Sequence, residues 1–403
     1  MAIPSLAMIP SGYKDGKVYS VLPTNGDGDF TFSRGSNGTR VNKDGLIETV
    51  TGDTPRLDYT DSSCPSLLLE PARNNLLQYS EAFSQSAWTK ISSTITSNAA
   101  ISPDGTLNAS KLVEDTQNVA HITFASPTIT LGNNTFSVFA KAAERRVLGI
   151  EFPTNGHLVS FDLIDGVFVN SQANPDNFSI TPFPNGWYRI DITENLTSNS
   201  VVSLSLRDEN GNRAYQGDGT SGVYIFGAQL EQGSYATSYI PTSGAISTRL
   251  EDVCSNTSAE SAIGQTEGVL YLDVNALHND SEFAPICLTS GASNNRILFY
   301  FSDTRIRVPY QFNNTPFFAF DYTVSDVSNL HKIALKYKSG ESALWVDGIL
   351  ISSSSTTTSG PSASLDILRL GNSTGSSYFL GNVRDVRVYK TALTDEELQE
   401  LTS

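Results

Sequence analysis

Apolar and polar residues alternate along most of the chain in short runs that recur about every ten residues. In residues 135–140, for example, the apolar side chains of Phe136, Val138 and Ala140 occupy every second position. Side chains that repeat every two positions line one face of a β-strand. Short strands at this spacing, joined by polar turns, predict an all-β fold made of antiparallel β-sandwiches. Strand patterns occur in residues 120–124, 135–140, 147–152, 158–163, 187–192, 201–206, 223–230, 268–274, 296–301, 305–308, 317–322, 331–337, 344–350, 365–370 and 383–389.

A Ser/Thr-rich stretch, residues 243–265, separates the strand patterns into two groups and indicates connecting chain. Asp347-Gly348 in the second group predicts a two-residue type I′ hairpin turn. A helix is predicted only at the end of the chain. Thr394 is its N-cap, Glu397 completes a capping box, and Leu398 shares an apolar face with Leu401.

The N-terminal region has a different texture. Residues 1–29 form an extended pattern interrupted by prolines, and residues 30–77 alternate short apolar runs with Gly-, Asn- and Pro-containing turns. Ion pairs are expected to hold this ribbon together, between Arg34, Arg40 and Arg56 on one side and Asp44, Asp53, Asp58 and Glu70 on the other. We therefore predict an attachment or assembly region at 1–75, followed by sandwiches at 76–245 and 246–403. Deletion of residues 1–75 is then expected to leave the second sandwich folded.

Charge and cysteine content exclude several classes of protein. The 403 residues carry a formal net charge of −16, which disfavours binding to nucleic acid or to an anionic membrane surface. Cys64, Cys254 and Cys287 lie far apart without a CxxC spacing, so neither a disulfide framework nor a zinc site is expected. The N-terminus lacks the pattern of a signal peptide, and no apolar run reaches the ~20 residues of a membrane helix. We expect a protein that is made and folded in the cytoplasm, or one that leaves the cell without a signal peptide.

Several blocks of sequence resemble known protein families. A segment that recurs in tailed-bacteriophage structural proteins, of the tail-fibre or head-fibre type, resembles the blocks FTFSRGSNGTRVNKDGLIETV, PRLDY and SLLLEPARNNLLQYSEAFSQSAWTK. The closing strands of a carbohydrate-binding-module-like jelly roll resemble the block YQGDGTSGVYIFGAQLEQGSYATSYIPTSGAISTR. A laminin-G/concanavalin A-like sandwich resembles the C-terminal blocks HKIALKYKSGESALWVDGILI, LRLGNS and FLGNVRDVRVYKTALTDEELQEL.

The resemblance implies a virion component whose N-terminal region carries two sandwiches of a glycan-binding type. Its expected partners are other virion proteins, further copies of the chain and glycans of the host surface. Family analogy suggests a trimer. Its expected location is the virion. A purely architectural capsid or tail protein without glycan binding is the alternative, and a polysaccharide-degrading enzyme is a third hypothesis.

A sugar-binding surface combines an aromatic ring with planar polar side chains. That combination is densest in one stretch of the C-terminal sandwich, formed by Tyr310, Gln311, Phe312, Asn313 and Asn314. Successive residues of a strand point to opposite faces, so half of the aromatic residues in and after this stretch belong to the core. The alternative is therefore that the rings are core and edge residues.

A calcium site is predicted in the central sandwich, where Asp208, Asn210 and Asp218 supply the oxygen ligands that calcium prefers. The stretch departs from the EF-hand pattern, because Arg213 stands where that loop requires glycine. The alternative is a solvated turn. No cofactor is required by the sequence, and calcium is the one that these residues suit.

Catalytic motifs are missing from the sequence. The histidines, His121, His157, His278 and His331, have no ligand spacing, and neither a GxSxG elbow nor a phosphate-binding loop occurs. We therefore predict a protein that is not an enzyme.

Overall fold

The computed structural model of the chain describes residues 2–173, 175–277, 284–302, 304–358, 360–361 and 363–403. The chain divides into two units, each assembled from separate segments of the sequence. The C-terminal unit contains Met1–Asn37, Val50–Pro71 and Leu250–Ser403, and the central unit contains Gly38–Thr49 and Ala72–Arg249.

The strands are as follows. The N-terminal part holds β1 (Leu6–Met8), β2 (Tyr13–Lys14), β3 (Lys17–Val18), β4 (Phe30–Ser33), β5 (Gly38–Val41), β6 (Ile47–Val50), β7 (Leu57–Asp58), β8 (Ser66–Leu69) and β9 (Arg73–Asn75). The middle part holds β10 (Trp88–Ile91), β11 (Ser93–Ala100), β12 (Ala109–Glu114), β13 (Asn118–Ala120), β14 (Ile122–Ala125), β15 (Gly132–Ala142), β16 (Val147–Phe152), β17 (His157–Asp162), β18 (Val167–Gln172), β19 (Asn177–Phe183), β20 (Trp187–Leu196), β21 (Val202–Arg207), β22 (Ala214–Gln216), β23 (Gly222–Gln232) and β24 (Ser247–Arg249). The last part holds β25 (Val253–Asn256), β26 (Glu267–Ala276), β27 (Ala284–Thr289), β28 (Asn295–Ser302), β29 (Arg305–Phe312), β30 (Thr315–Thr323), β31 (His331–Lys338), β32 (Ser342–Val346), β33 (Ile349–Ser354), β34 (Ile367–Leu370) and β35 (Gly381–Tyr389), followed by helix α1 (Asp395–Thr402).

The central unit is a sandwich of two six-stranded sheets. Their strand orders are β10-β14-β21-β16-β17-β18 and β11-β12-β23-β15-β20-β19, and the pairing within each is antiparallel. Phe136, Val138 and Ala140 of β15 are buried in the main core, as the alternating pattern predicts. Phe139 on the other face of β15 is buried as well, in a second cluster with Trp187. Both faces of this strand are therefore covered.

The C-terminal unit is a sandwich of a larger pair of sheets. The eight-stranded sheet has the order β33-β32-β31-β26-β35-β8-β7, with β1 pairing to β35. The nine-stranded sheet has the order β2-β3-β4-β25-β34-β27-β28-β29-β30. Side chains of both sheets form one apolar core. The predicted all-β fold, with two antiparallel sandwiches and a short C-terminal helix, is confirmed.

The first 71 residues do not form a region of their own. Strands β2, β3 and β4 extend the nine-stranded sheet through the pairing of β4 with β25. Strands β7 and β8 extend the eight-stranded sheet, and residues 38–49 belong to the central unit. The structure thus divides the chain differently from the predicted boundaries 1–75, 76–245 and 246–403. The pattern of a short strand does not reveal its partner strand, so the sequence could not place these segments.

A buried network of ions joins the N-terminal segments to the start of the C-terminal strands. Arg34 Nη1 donates to Asp252 Oδ1 at 3.0 Å, and Arg56 pairs with both Asp252 and Glu70. The Glu70 amide also donates to Asp252 Oδ2 at 2.9 Å. All four side chains are at most 3% exposed. The Arg56–Glu70 pair is one of those expected from the sequence, whereas Arg40 pairs with Glu48 instead.

Helix α1 covers the outer face of the eight-stranded sheet. Thr394 and Glu397 form the predicted capping box, and Leu398 and Leu401 are buried on a cluster that includes Trp345. The turn after β32 has φ angles of 48° at Asp347 and 79° at Gly348, as a type I′ turn requires. In the part of the chain that the structure describes, no helix has the length and apolar character needed to cross a membrane.

Candidate functional site

The predicted aromatic platform does not lie on the surface. Tyr310 and Phe312 are each 1% exposed, and their rings pack against Phe317 within the core of the C-terminal unit. Burial raises the pKa of Tyr310 above its ordinary value. Neither ring can stack on a sugar in this position, so the alternative of core aromatics is the one that the structure supports.

The other three residues of that stretch have different positions. Asn313 and Asn314 form the exposed turn between β29 and β30, with φ angles of 54° and 61°. Gln311 is half-buried and points to the face of the sheet opposite Tyr310, because side chains alternate along β29. The outward-pointing residues of β29, and not the inward-pointing ones, are therefore the candidates for contact with a ligand.

The outer face of the nine-stranded sheet carries four arginines. In the antiparallel register Arg296 lies opposite Gln311, and Tyr300 lies opposite Arg307. Directly opposed residues share a face of the sheet. Arg305 is two residues from Arg307 on the same face, and Arg369 lies opposite Cys287 on the neighbouring strand pair. We call the surface formed by Arg296, Tyr300, Arg305, Arg307, Gln311 and Arg369 the arginine face.

Positive charge on the arginine face is only partly balanced. Arg305 and Arg307 share one carboxylate, Asp321, at 3.6 and 3.4 Å, and all three side chains are well exposed. Among the residues that the structure describes, no carboxylate pairs with Arg296 or Arg369. These two guanidinium groups instead bond to the loop after β34, at the Ser373 hydroxyl and the Ser373 carbonyl respectively.

The positive charge of the arginine face also acts on the buried thiol of Cys287. Burial raises the pKa of its thiol to about 12, and Arg369 and Arg296 both act in the opposite direction. The two guanidinium groups belong to β34 and β28, the two strands that flank the strand of Cys287 in the sheet. Together with the amide of Gln311 and the ring of Tyr300, they supply the groups that bind carboxylates, sulfates and hydroxyls. The sequence signal was the alternation Arg305-Ile306-Arg307, which places both arginines on one face.

The residues predicted to bind calcium lie in two turns of the central unit. Asp208 Oδ1 accepts from the amides of Asn210 and Asn212, at 2.9 and 2.8 Å. Asp218 Oδ1 accepts from the amides of Thr220 and Ser221, each at 2.7 Å. Hydrogen bonds from Ser221 and Thr220 hold the pKa of Asp218 below its usual range. Each carboxylate is satisfied within its own turn, as in the solvated-turn alternative. Calcium binding here remains a prediction.

No metal-binding cluster of three or more His, Cys, Asp or Glu side chains occurs among the described residues. His278 lies outside them.

The turn at Asp208 leads instead into a buried ionic cluster. Arg213 Nη2 donates to Glu151 Oε2 at 3.0 Å, and Arg207 donates to the other oxygen of the same carboxylate. Ser203 and Ser205 also donate to Glu151, which is 1% exposed. Burial lowers the pKa of Arg207 to about 10, and Glu151 partly offsets this effect. The arginine that breaks the EF-hand pattern therefore has a partner on the sheet.

One family model matches part of the C-terminal unit. Residues 274–399 match the family model of the concanavalin A-like lectin/glucanases superfamily. All four arginines of the arginine face lie within the matched residues. No curated protein sequence matched the chain.

Solved structures are similar to parts of this chain at low identity and low TM-score. The CBM40 module of the Ruminococcus gnavus IT-sialidase, bound to α2,3-sialyllactose, is 15% identical over 37% of this chain and 87% of its own, with a TM-score of 0.31. Domain 4 of the Geobacillus stearothermophilus arabinanase AbnA, in complex with arabinotriose, is 13% identical over 42% of this chain and 84% of its own, with a TM-score of 0.32. Domains LG4–5 of the mouse laminin α1 chain are 12% identical over 69% of this chain and 90% of their own, with a TM-score of 0.25. At this level the likeness concerns the fold alone.

Proposed function

We propose that the chain is displayed on the surface of a bacteriophage particle and that it binds acidic glycans through the arginine face. The observation that carries the glycan part is the concentration of Arg296, Arg305, Arg307 and Arg369 on one sheet face. Guanidinium groups bind carboxylates and sulfates in a planar, often bidentate geometry. The acidic glycans in question are chains of uronic acids, sialic acids or sulfated sugars.

The charge of the whole chain sharpens this proposal. With a net charge of −16, most of the surface repels an anionic ligand, so attraction depends on the local field of the arginine face. A long polyanion such as nucleic acid would extend beyond the face and meet that repulsion. A short acidic segment of a glycan requires only the face itself. The match of residues 274–399 to a lectin superfamily supports a sugar as the carrier of the anionic group.

The particle part of the proposal rests on the resemblance of the N-terminal and central blocks to bacteriophage tail-fibre and head-fibre components. A glycan site of this exposed kind binds weakly, and display in several copies on a particle raises its effective strength. Further copies of the chain, in a trimer by family analogy, and other virion proteins are the partners proposed. An architectural protein without glycan binding is the second candidate, which the same resemblance to virion components supports.

Replacing Arg305 and Arg307 together with glutamine is expected to weaken acidic-glycan binding about tenfold. The change removes charge-assisted hydrogen bonds, each worth about 1.5–3 kcal/mol, from exposed positions where solvent reduces the effect. The measurement is a glycan array with the full chain, followed by titration of each positive glycan. Arrayed ligands are sialylated, uronic-acid-containing and sulfated glycans with their neutral counterparts.

The matched control replaces Lys43 and Lys390 with glutamine, which removes the same charge at exposed positions outside the arginine face. We expect the control to bind as the unmodified chain does. An equal loss in both double variants would show that net charge, and not the arginine face, determines binding. A blank array with the folded chain would favour the architectural candidate, and release of reducing ends from a capsule would favour the polysaccharide-degrading one.

An antibody against the chain is expected to label bacteriophage particles at the tail or the capsid surface in negative-stain images. Bound antibody is visible at the position where the epitope is displayed, so the images also locate the chain on the particle. Particles from a phage that lacks the gene serve as the control. Absence of label on particles that carry the intact gene would contradict the proposed location on the particle. It would not contradict glycan binding by the arginine face.

A further inference from the structure

A small cavity lies on the outer face of the eight-stranded sheet, beside the first turn of α1. Its volume is about 280 Å³, and its lining includes Lys336 of β31, Glu341, Ala343 of β32, Leu350 and Ser353 of β33, and Asp395 of α1. The register places Ala343 between Lys336 and Ser353. The cavity therefore has a floor made by three neighbouring strands and a wall made by the helix.

Lys336 is the buried charged group of this cavity. The residue is 3% exposed, and its Nζ donates to Asp395 Oδ1 at 2.9 Å and to Glu341 Oε1 at 3.0 Å. Burial acts to lower the pKa of Lys336, but its hydrogen bonds to Asp395 and Glu341 raise it, so the ammonium group stays charged. An ammonium group has three hydrogens. No third acceptor among the described residues bonds to Nζ, which leaves one hydrogen for a ligand oxygen.

Each charged group at the cavity has a partner of opposite sign. Lys336 pairs with Glu341 and Asp395, and Lys338 pairs with Glu341 at 3.0 Å and with Glu267 at 4.0 Å. A ligand that enters this site needs no net charge of its own. The side chains of Glu341 and Asp395 are 56% and 59% exposed, and each carboxylate keeps lone pairs for hydroxyl donors.

The rest of the lining is a mixture of small apolar and hydroxyl groups. Ala343 and Leu350 offer an apolar surface, and Leu350 is 44% exposed at the opening. Serines at 342 and 353–355 add hydroxyls around it. One apolar patch surrounded by donors and acceptors suits a sugar ring, which has an apolar face and a rim of hydroxyls. The volume is just below the usual range of ligand pockets, roughly 300–1,000 Å³, and therefore fits one ring better than a chain.

We infer that this cavity is a second sugar site, which binds a single neutral pyranose unit with Lys336, Glu341 and Asp395 on its hydroxyls and Leu350 on its apolar face. The site belongs to the other sheet of the C-terminal unit and shares no residue with the arginine face. The C-terminal unit would thus have two chemically distinct sugar sites, one on the outer face of each sheet.

The test replaces Leu350 with tryptophan, which fills the opening of the cavity from a position that is already exposed. Saturation-transfer NMR of the full chain with glucose, galactose, mannose and N-acetylglucosamine measures binding, and titration of any sugar that shows transfer gives its Kd. We expect millimolar binding of at least one of these sugars and at least a tenfold loss in the variant. Ile349→Trp is the matched control, because Ile349 is the preceding residue, is 59% exposed and is not among the cavity-lining residues.

A second variant, Asp395→Asn, keeps the size of the side chain and removes the negative charge that pairs with Lys336. It is expected to weaken the same sugar severalfold, and melting followed by circular dichroism verifies that all three variants fold. Arg305→Gln with Arg307→Gln should leave neutral-sugar binding unchanged, which separates this site from the arginine face. Absence of transfer from every sugar of the panel, or equal binding by the Leu350→Trp and Ile349→Trp variants, would overturn the inference.

Discussion

The Asp252→Ala variant is expected to lose about 3–5 kcal/mol of folding free energy, because the change leaves two buried arginines without their shared carboxylate. Arg34 and Arg56 are both fully buried at their side chains, and both pair with Asp252. The Glu70 amide loses its acceptor at the same time. A loss of this size is a large share of the stability of an ordinary domain.

Hydrogen exchange followed by mass spectrometry can measure this loss in the C-terminal unit separately from the central unit. Peptides from β31 and β32 are expected to lose protection in the variant, whereas peptides from β20 keep theirs. Glu267→Ala is the control, since Glu267 is a partly exposed residue in a long 4.0 Å pair with Lys338, and should change stability by at most about 1 kcal/mol. Equal protection in Asp252→Ala and in the control would show that the buried network contributes little.

A chain that begins at residue 246 is expected not to fold, contrary to the expectation from sequence that the second sandwich is independent. Truncation removes β2, β3 and β4 from the nine-stranded sheet and β1, β7 and β8 from the eight-stranded sheet. Removal of β4 and β8 leaves the edges of β25 and β35 without their partner strands, and Asp252 loses every partner named above. Unpaired backbone and an unpaired buried carboxylate each oppose folding.

The matched experiment compares this fragment with a chain in which the C-terminal unit is complete. Asn37 is joined to Val50, and Pro71 to Leu250, by short Gly/Ser linkers. The breaks are narrow, since the Asp53 amide donates to the Arg34 carbonyl at 2.8 Å and the Asp252 amide to the Glu70 carbonyl at 3.0 Å. We expect dispersed amide resonances from the linked chain and a collapsed spectrum from residues 246–403. Dispersed spectra from both would mean that the N-terminal strands are dispensable for the sandwich.

Local features of the sequence predicted the elements of the fold well. The alternation around Phe136 and Val138 predicts a strand because burial of one face of a sheet requires it. Thr394 and Glu397 predict the start of the helix, and Asp347-Gly348 predicts the hairpin, because each signal acts within a few residues. In these cases the interacting groups are neighbours in the chain.

The candidate site could be predicted only in part. Composition indicated Tyr310 and Phe312 as candidates for sugar binding. The residues themselves did not determine which face of the strand points into the core, and that choice decides between core and surface. The arginine face unites Arg296, Arg305 and Arg369 from three strands, and their common face depends on sheet register. Asp252 is separated from Arg34 by 218 positions, so no local pattern could assign the pair.

The arginine face is proposed to bind an anionic group. The most direct measurement compares the binding of one uronic-acid oligosaccharide with that of its carboxyl-reduced counterpart to the full chain by isothermal titration calorimetry at low and at moderate salt. We expect the acidic oligosaccharide to bind at least tenfold more tightly, and the difference to shrink as salt screens the exposed arginines. Equal affinities for the two oligosaccharides at low salt would contradict the proposal.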